Sequence, residues 1–115
     1  MRLNEYRSMW LFVFFDLPVK TKTERKAYTK FRNFLLDDGF TMLQYSVYMR
    51  HSTSKENSDV HAKRVKNALP PKGTVNLLTI TDKQFGTMDI FRSKIPERLN
   101  PKIEQLELFE QDDFF

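Results

Sequence analysis

The chain has 115 residues, 40% hydrophobic and 14% aromatic, with 11 phenylalanines and only 3 glycines; that supports one hydrophobic core, falls short of two, and excludes a disordered chain. There is no cysteine and no basic, apolar and small-residue secretion pattern, which excludes a disulfide scaffold and makes the cytoplasm the expected compartment. The formal charge of +4 is unevenly spread: residues 1–94 hold 17 Lys or Arg against 9 Asp or Glu, and residues 95–115 hold 2 against 6, so a body of +8 carries a tail of −4. A basic body suits a polyanionic partner, although charge alone is equally satisfied by an ordinary soluble surface.

The run Met9-Trp10-Leu11-Phe12-Val13-Phe14-Phe15 has no polar alternation and reads as a central strand covered on both faces. At seven residues it is far short of the roughly 20 that a membrane-spanning helix needs, so no membrane partner is expected. Asp16-Leu17-Pro18 ends the strand. Thr21-Lys22-Thr23-Glu24 fits a capping box with Thr21 as N-cap, opening a helix to about Asp38. Tyr28, Phe31, Phe34 and Leu35 form its inner stripe, Lys22, Lys26 and Lys30 stack on another face, and Gly39 is a suitable stop.

Phe40 to Met49 reads as a second strand, or as two strands if the chain folds back around Tyr45, followed by a polar loop from Arg50 to Ser54. A second helix is predicted from about Lys55 to Leu69, with Val60, Val65, Ala68 and Leu69 inward, halted by Pro70-Pro71. Gly73 to Thr81 and the short Met88 to Arg92 are predicted as further strands. The set makes an α+β domain with helices on one face of a four-stranded sheet. One helical layer cannot bury both faces of the first strand, so a second copy is expected to cover the other face about a two-fold axis. Residues 96–115 form an acidic extension in which Leu106, Leu108 and Phe109 alternate as in a strand near 106–109, expected to extend the partner's sheet or else to be a loose terminus.

An Asp closing an apolar strand is most often a turn residue. Two-fold symmetry would turn Asp16 into a facing pair of carboxylates, able with waters and a substrate phosphate to hold one Mg²⁺. Lys20, Lys22, Arg25 and Lys26 cluster at a helix start, where free N–H groups also favour phosphate, and Arg50, Arg92 and Lys94 sit at other element ends; each alone is an ordinary solvated charge, and together they make a backbone-binding surface. His51 and His61 lack metal-ligand spacing, and Gly39, Gly73 and Gly86 are isolated, so neither a His site nor a phosphate-cradling loop is indicated.

Phe12-Val13-Phe14-Phe15-Asp16-Leu17-Pro18, the basic first helix, Gly39-Phe40, Gln44-Tyr45-Ser46-Val47-Tyr48 and Leu78-Thr79-Ile80-Thr81-Asp82-Lys83-Gln84-Phe85 together resemble the small CRISPR-associated adaptation protein family, the second of the two universal spacer-acquisition proteins. The resemblance spans nearly the whole chain. It implies a ferredoxin-like βαββαβ domain over residues 1–115, a symmetric homodimer, and two strands between the helices. It also implies a divalent-metal-dependent endonuclease acting on RNA or DNA, with Asp16 as catalytic residue and metal ligand. The same family implies a scaffold that bridges integrase dimers on captured double-stranded DNA, with single-stranded RNA as a further substrate class. The acidic extension resembles versions that accompany a single DNA-cleaving effector. Two positions depart from the family pattern: Phe15 stands where a Tyr is common, and Met42 where a basic residue is common. Two readings from other classes are a non-catalytic RNA-binding platform, for which Thr74 to Thr79 offers no aromatic, and a metabolite-sensing domain of the same fold.

Overall fold

A computed structural model of the chain describes residues 8–93. Seven elements follow in order: β1 (Met9–Asp16), α1 (Lys22–Asp37), β2 (Thr41–Gln44), β3 (Val47–Ser52), α2 (Lys55–Asn67), β4 (Thr74–Thr81) and the single helical turn α3 (Asp82–Phe85). The four strands form one antiparallel sheet in the order β2-β3-β1-β4. This is the ferredoxin-like arrangement, with β1 paired along its length with β4 and, from Met9 to Phe14, with β3.

The alternation of β1 decides which residues face the helices. Leu11, Val13 and Phe15 point to one side and form the core with Tyr28, Phe31 and Leu35 of α1, Val65 of α2, Phe40 and Tyr48. Phe15 sits at its centre, edge-on to Phe31 at 5.5 Å and Tyr28 at 6.0 Å and stacked on Tyr48 at 5.6 Å. The predicted inner stripe of α1 therefore holds. Its capping box forms as read, Thr21 Oγ1 accepting from Glu24 N–H and Glu24 Oε1 accepting from Thr21 N–H. At the other end Gly39 adopts φ +94, and the Arg50 guanidinium occupies the space a Cβ there would need.

Of the two readings of residues 40–49, the one that folds back around Tyr45 holds: β2 and β3 are joined by Tyr45-Ser46, with Ser46 at φ +63 and a register shift between Met42 and Gln44. Two expectations are corrected. The pairing of β3 with β1 continues past Met49 to Ser52, so the expected loop begins later. Met88 to Arg92 is not a strand. Asp82 instead caps the end of β4, its N–H bonding Ser8 O and its carboxylate accepting from Trp10 Nε1 at 2.7 Å, which turns the chain into α3 in place of a further strand.

α2 ends at Asn67, and its inner face is Ser58, His61 and Val65; Val60 and Leu69, expected inside, are about half exposed. Helical spacing from Val65 runs back through His61 and Ser58, so the apolar Val60 lies on the far side. His61 is buried because Asp38, the C-cap of α1, lies 2.8 Å from its Nδ1, which donates to Asp38 Oδ2. Arg64 donates to the other carboxylate oxygen at 2.9 Å. This trio ties the two helices together and sets the Arg64 guanidinium against the C-terminal end of α1, whose last turn has no basic residue of its own.

The face of β1 turned away from the helices carries Trp10, Phe12 and Phe14. α3 covers part of it: Phe85 stacks on Trp10 at 3.9 Å. Beyond that cover, Phe12, Phe14, Leu43, Val47, Leu78 and Met88 line an open apolar hollow. Leu78 and Met88 are exposed there, and Ile90 and Phe91 are exposed in the stretch that follows, Phe91 at 90%.

Candidate functional site

Asp16 is the last residue of β1 and is exposed. The ladder places it between two connections. On one side Phe15 N–H donates to Ser46 O at 3.1 Å, so the β2–β3 turn closes against β1 one residue before the carboxylate. On the other, Asp16 pairs with Thr74 at the start of β4. Gly73, just ahead, has φ +99, and a Cβ there would stand 2.6 Å from Asp16 O and 2.7 Å from Leu17 Cδ2. Only glycine lets the α2–β4 connection close over the strand end. Phe15 points to the core and Asp16 to the other side, so the missing phenol at position 15 leaves the core packing of that residue intact.

The chain then runs through Leu17–Lys20 into α1. Glu24 accepts from both Lys20 N–H (3.0 Å) and Thr21 N–H (2.9 Å), and these bonds, Thr21's first, hold its carboxyl below the ordinary range against the opposing effect of burial. Lys72, 3.9 Å away, assists. Lys20, Lys22 and Lys26 are exposed around this helix start. Arg25 is half-buried, and its Nη1 donates to Lys20 O at 3.1 Å and Val19 O at 3.4 Å, so it braces the β1–α1 connection.

The other sequence-predicted residues lie apart. Arg50, on β3, pairs with Leu11, five residues along β1 from Asp16, or roughly 16 Å; it is half-buried over Gly39 with its Nε buried and without a hydrogen-bond partner among the described residues. Arg92 is exposed after α3. Lys94, Leu106, Leu108, Phe109 and the expected strand near 106–109 lie outside the described residues. The structure adds Ser46, Lys72, Gly73 and Thr74 to the surroundings of Asp16. For Lys72 and Gly73 the sequence signal is the Pro70-Pro71-Lys72-Gly73 run, which reads as a helix stop without saying what it closes upon.

Among the described residues no three His, Asp or Glu side chains converge as a metal cluster. No described helix is long and apolar enough to cross a membrane.

Comparison with known proteins agrees with this arrangement. Residues 9–88, the strand-to-α3 body just described, match the family model for CRISPR-associated protein Cas2. The chain is 53% identical over 108 residues to a CRISPR-associated endoribonuclease Cas2 of Flavobacterium psychrophilum, covering 94% of each chain. It is 50% identical to one of Parvibaculum lavamentivorans, covering 88% of this chain and 100% of that one, and 49% identical to one of Paracidovorax avenae, covering 93% and 99%. A solved structure described as a crystal structure of cas2 is 18% identical, with a TM-score of 0.46 over 81% of this chain and 98% of that one. With the matched segment running from the central strand through α3, the chain belongs to the Cas2 family of CRISPR-associated proteins.

Proposed function

We propose that this chain is a CRISPR-associated endonuclease that cleaves RNA or DNA phosphodiesters with Asp16 and Mg²⁺, and that it serves spacer acquisition as a homodimeric scaffold bridging integrase subunits on double-stranded DNA. The observation that carries the reading is the placement of Asp16: an exposed carboxylate at the end of the most buried strand, beside a helix start bearing Lys20, Lys22 and Lys26. Its curated relatives carry the name endoribonuclease.

The donor set fits a hard cation. A lone exposed carboxylate suits Mg²⁺, which keeps several waters and takes one or two carboxylates together with substrate phosphate oxygens. A second Asp16, from a copy packed on the apolar sheet face, would supply the other carboxylate. Bound there, the ion would polarise the phosphodiester and acidify its water. The chain's own residues do the rest. Lys20, Lys22 and Lys26 take the phosphates on either side of the scissile bond, and the N–H groups at the start of α1 add donors. Gly73 and the Ser46 turn hold the strand end on which the exposed carboxylate sits.

Association with nucleic acid through phosphates predicts that log affinity falls linearly with log salt. Cleavage of single-stranded RNA and of duplex DNA, with Mg²⁺ and with chelator, for the wild type and Asp16→Ala, tests the catalytic half. Chelator-resistant cleavage, or cleavage undiminished by the substitution, would overturn it. Pull-down of the integrase subunit by Asp16→Ala tests the scaffold half, which requires binding at wild-type strength.

A further inference from the structure

Beside the Asp16 site lies a cavity of about 80 Å³ that the catalytic reading leaves unused. It is lined by Leu17-Pro18, the residues that follow Asp16, by Ala27 and Tyr28 of α1, and by Pro70-Pro71-Lys72, which runs into Gly73 where the chain closes on the Asp16 carbonyl. The space equals several water molecules and lies well below the roughly 300–1,000 Å³ of sites for drug-sized ligands. One flat ring fits it; a fused pair of rings with its sugar does not.

Among the described residues, the charged groups that line the cavity are Glu24 and Lys72, and they offset each other, so the occupant is neutral. Lys72 Nζ stands 3.9 Å from Glu24 Oε2, longer than the roughly 2.7–2.9 Å of a charge-assisted hydrogen bond, so each partner keeps capacity for another bond. Glu24 Oε1 is committed to the N–H groups of Lys20 and Thr21, and the carboxyl is held below its ordinary range, which leaves Oε2 as an acceptor set beside the Lys72 donor. An apolar slot with an acceptor and a donor at one edge complements a neutral heterocycle that presents a donor and an acceptor side by side. Cytosine does so on a single ring, its N4 amino group donating and its N3 accepting. Uracil flanks its one N–H with two carbonyls, and a carbonyl oxygen would then crowd the carboxylate. Purines carry a similar edge on two fused rings.

We propose that this cavity is a base subsite that takes a cytosine ring from an unpaired strand, N4 donating to Glu24 Oε2 and Lys72 Nζ donating to N3. Because Leu17 and Gly73 tie the cavity to the end of β1, a base seated there sets the neighbouring phosphate at Asp16. A paired base is shut out, since its donor and acceptor edge is already used. The placement of the phosphate rests on the catalytic reading above; the base binding does not.

Neutral nucleosides test the base binding apart from any phosphate contact. Cytidine at millimolar concentration should move the backbone amide signals of Thr23, Ala27, Tyr28 and Lys72 in the wild-type chain; uridine should move them less, and adenosine not at all. Ala27→Leu, which fills the cavity with a good helix former, should abolish the shifts, and Lys72→Met, at an exposed position, should weaken cytidine binding about tenfold. No shift with cytidine, or equal shifts with cytidine and adenosine, overturns the subsite. Cleavage of single-stranded RNA with Mg²⁺ should be about tenfold faster beside a C than beside an A, and Ala27→Leu should level the two. Equal Asp16-dependent cleavage beside C and A in the wild type overturns the subsite and leaves the catalytic reading standing. Cytidine shifts without Asp16-dependent cleavage of any strand would uphold the base binding and overturn the catalytic reading instead.

Discussion

Two residues set the chemistry and the geometry of the strand end. If Asp16 holds the metal as proposed, Asp16→Ala is expected to lower Mg²⁺-dependent cleavage by at least about a hundredfold, the equivalent of about 3 kcal/mol in the barrier. Thermal unfolding should scarcely change, because the side chain is exposed. Gly73 is the opposite case. Its φ of +99 and the 2.6 Å approach to Asp16 O leave no room for a methyl group, so Gly73→Ala should destabilise the fold by about 1–3 kcal/mol in denaturant titration and reduce cleavage as well, by shifting the strand end. Asp16 was legible in the sequence because a charge interrupts an unbroken apolar run. Gly73 was not, since its role depends on which strand end it meets, and that contact spans 57 residues of chain. The Asp38–His61 pair was hidden for the same reason: the partner that lets His61 be buried lies 23 residues away.

Elements were legible where their signals are local. The capping box of α1 forms as its four residues predict, and Thr21→Ala should cost about 1 kcal/mol. Glu24 contributes with a definite sign. Its folded pKa lies below the unfolded value, so its stabilisation is present above the ordinary carboxylate range and fades as pH falls through and below it. Glu24→Gln should therefore flatten the acid limb of the stability curve measured between about pH 6 and pH 2, while leaving stability near pH 7 lower than wild type. The β2–β3 hairpin around Tyr45 was legible only as one of two readings, because Tyr45-Ser46 lacks the Asn-Gly or Asp-Gly signal of tight hairpins and Ser46 takes a left-handed conformation without glycine. The misplaced strand at Met88 to Arg92 has another cause: its apolar residues match a strand pattern, but Thr81 and Gln84 form a second capping box that commits the chain to α3 first.

At the scale of the molecule, the sequence announced a strand apolar on both faces, and the structure shows helices on one face and, among the described residues, only α3 over part of the other. If a second copy completes the cover, a charge in the hollow opposes it. Leu78→Lys should convert a dimer to a monomer by sedimentation while the far-UV spectrum stays unchanged, since Leu78 is already half exposed in a single chain. The charge split between body and tail was equally plain from composition. The central position of β1 carries one more consequence, for synthesis. The most apolar strand is the first to be made and the last to be flanked: β3 reaches it only when residue 52 has been added, and β4 only at residue 81. At about 5–20 residues per second, Met9–Phe15 waits roughly 3–13 s between its own translation and the arrival of its second neighbour. During that interval its sticky edge has to be shielded by something other than its final partner, so a slow codon run before residue 81 would be expected to raise the aggregated fraction, and one after it would not.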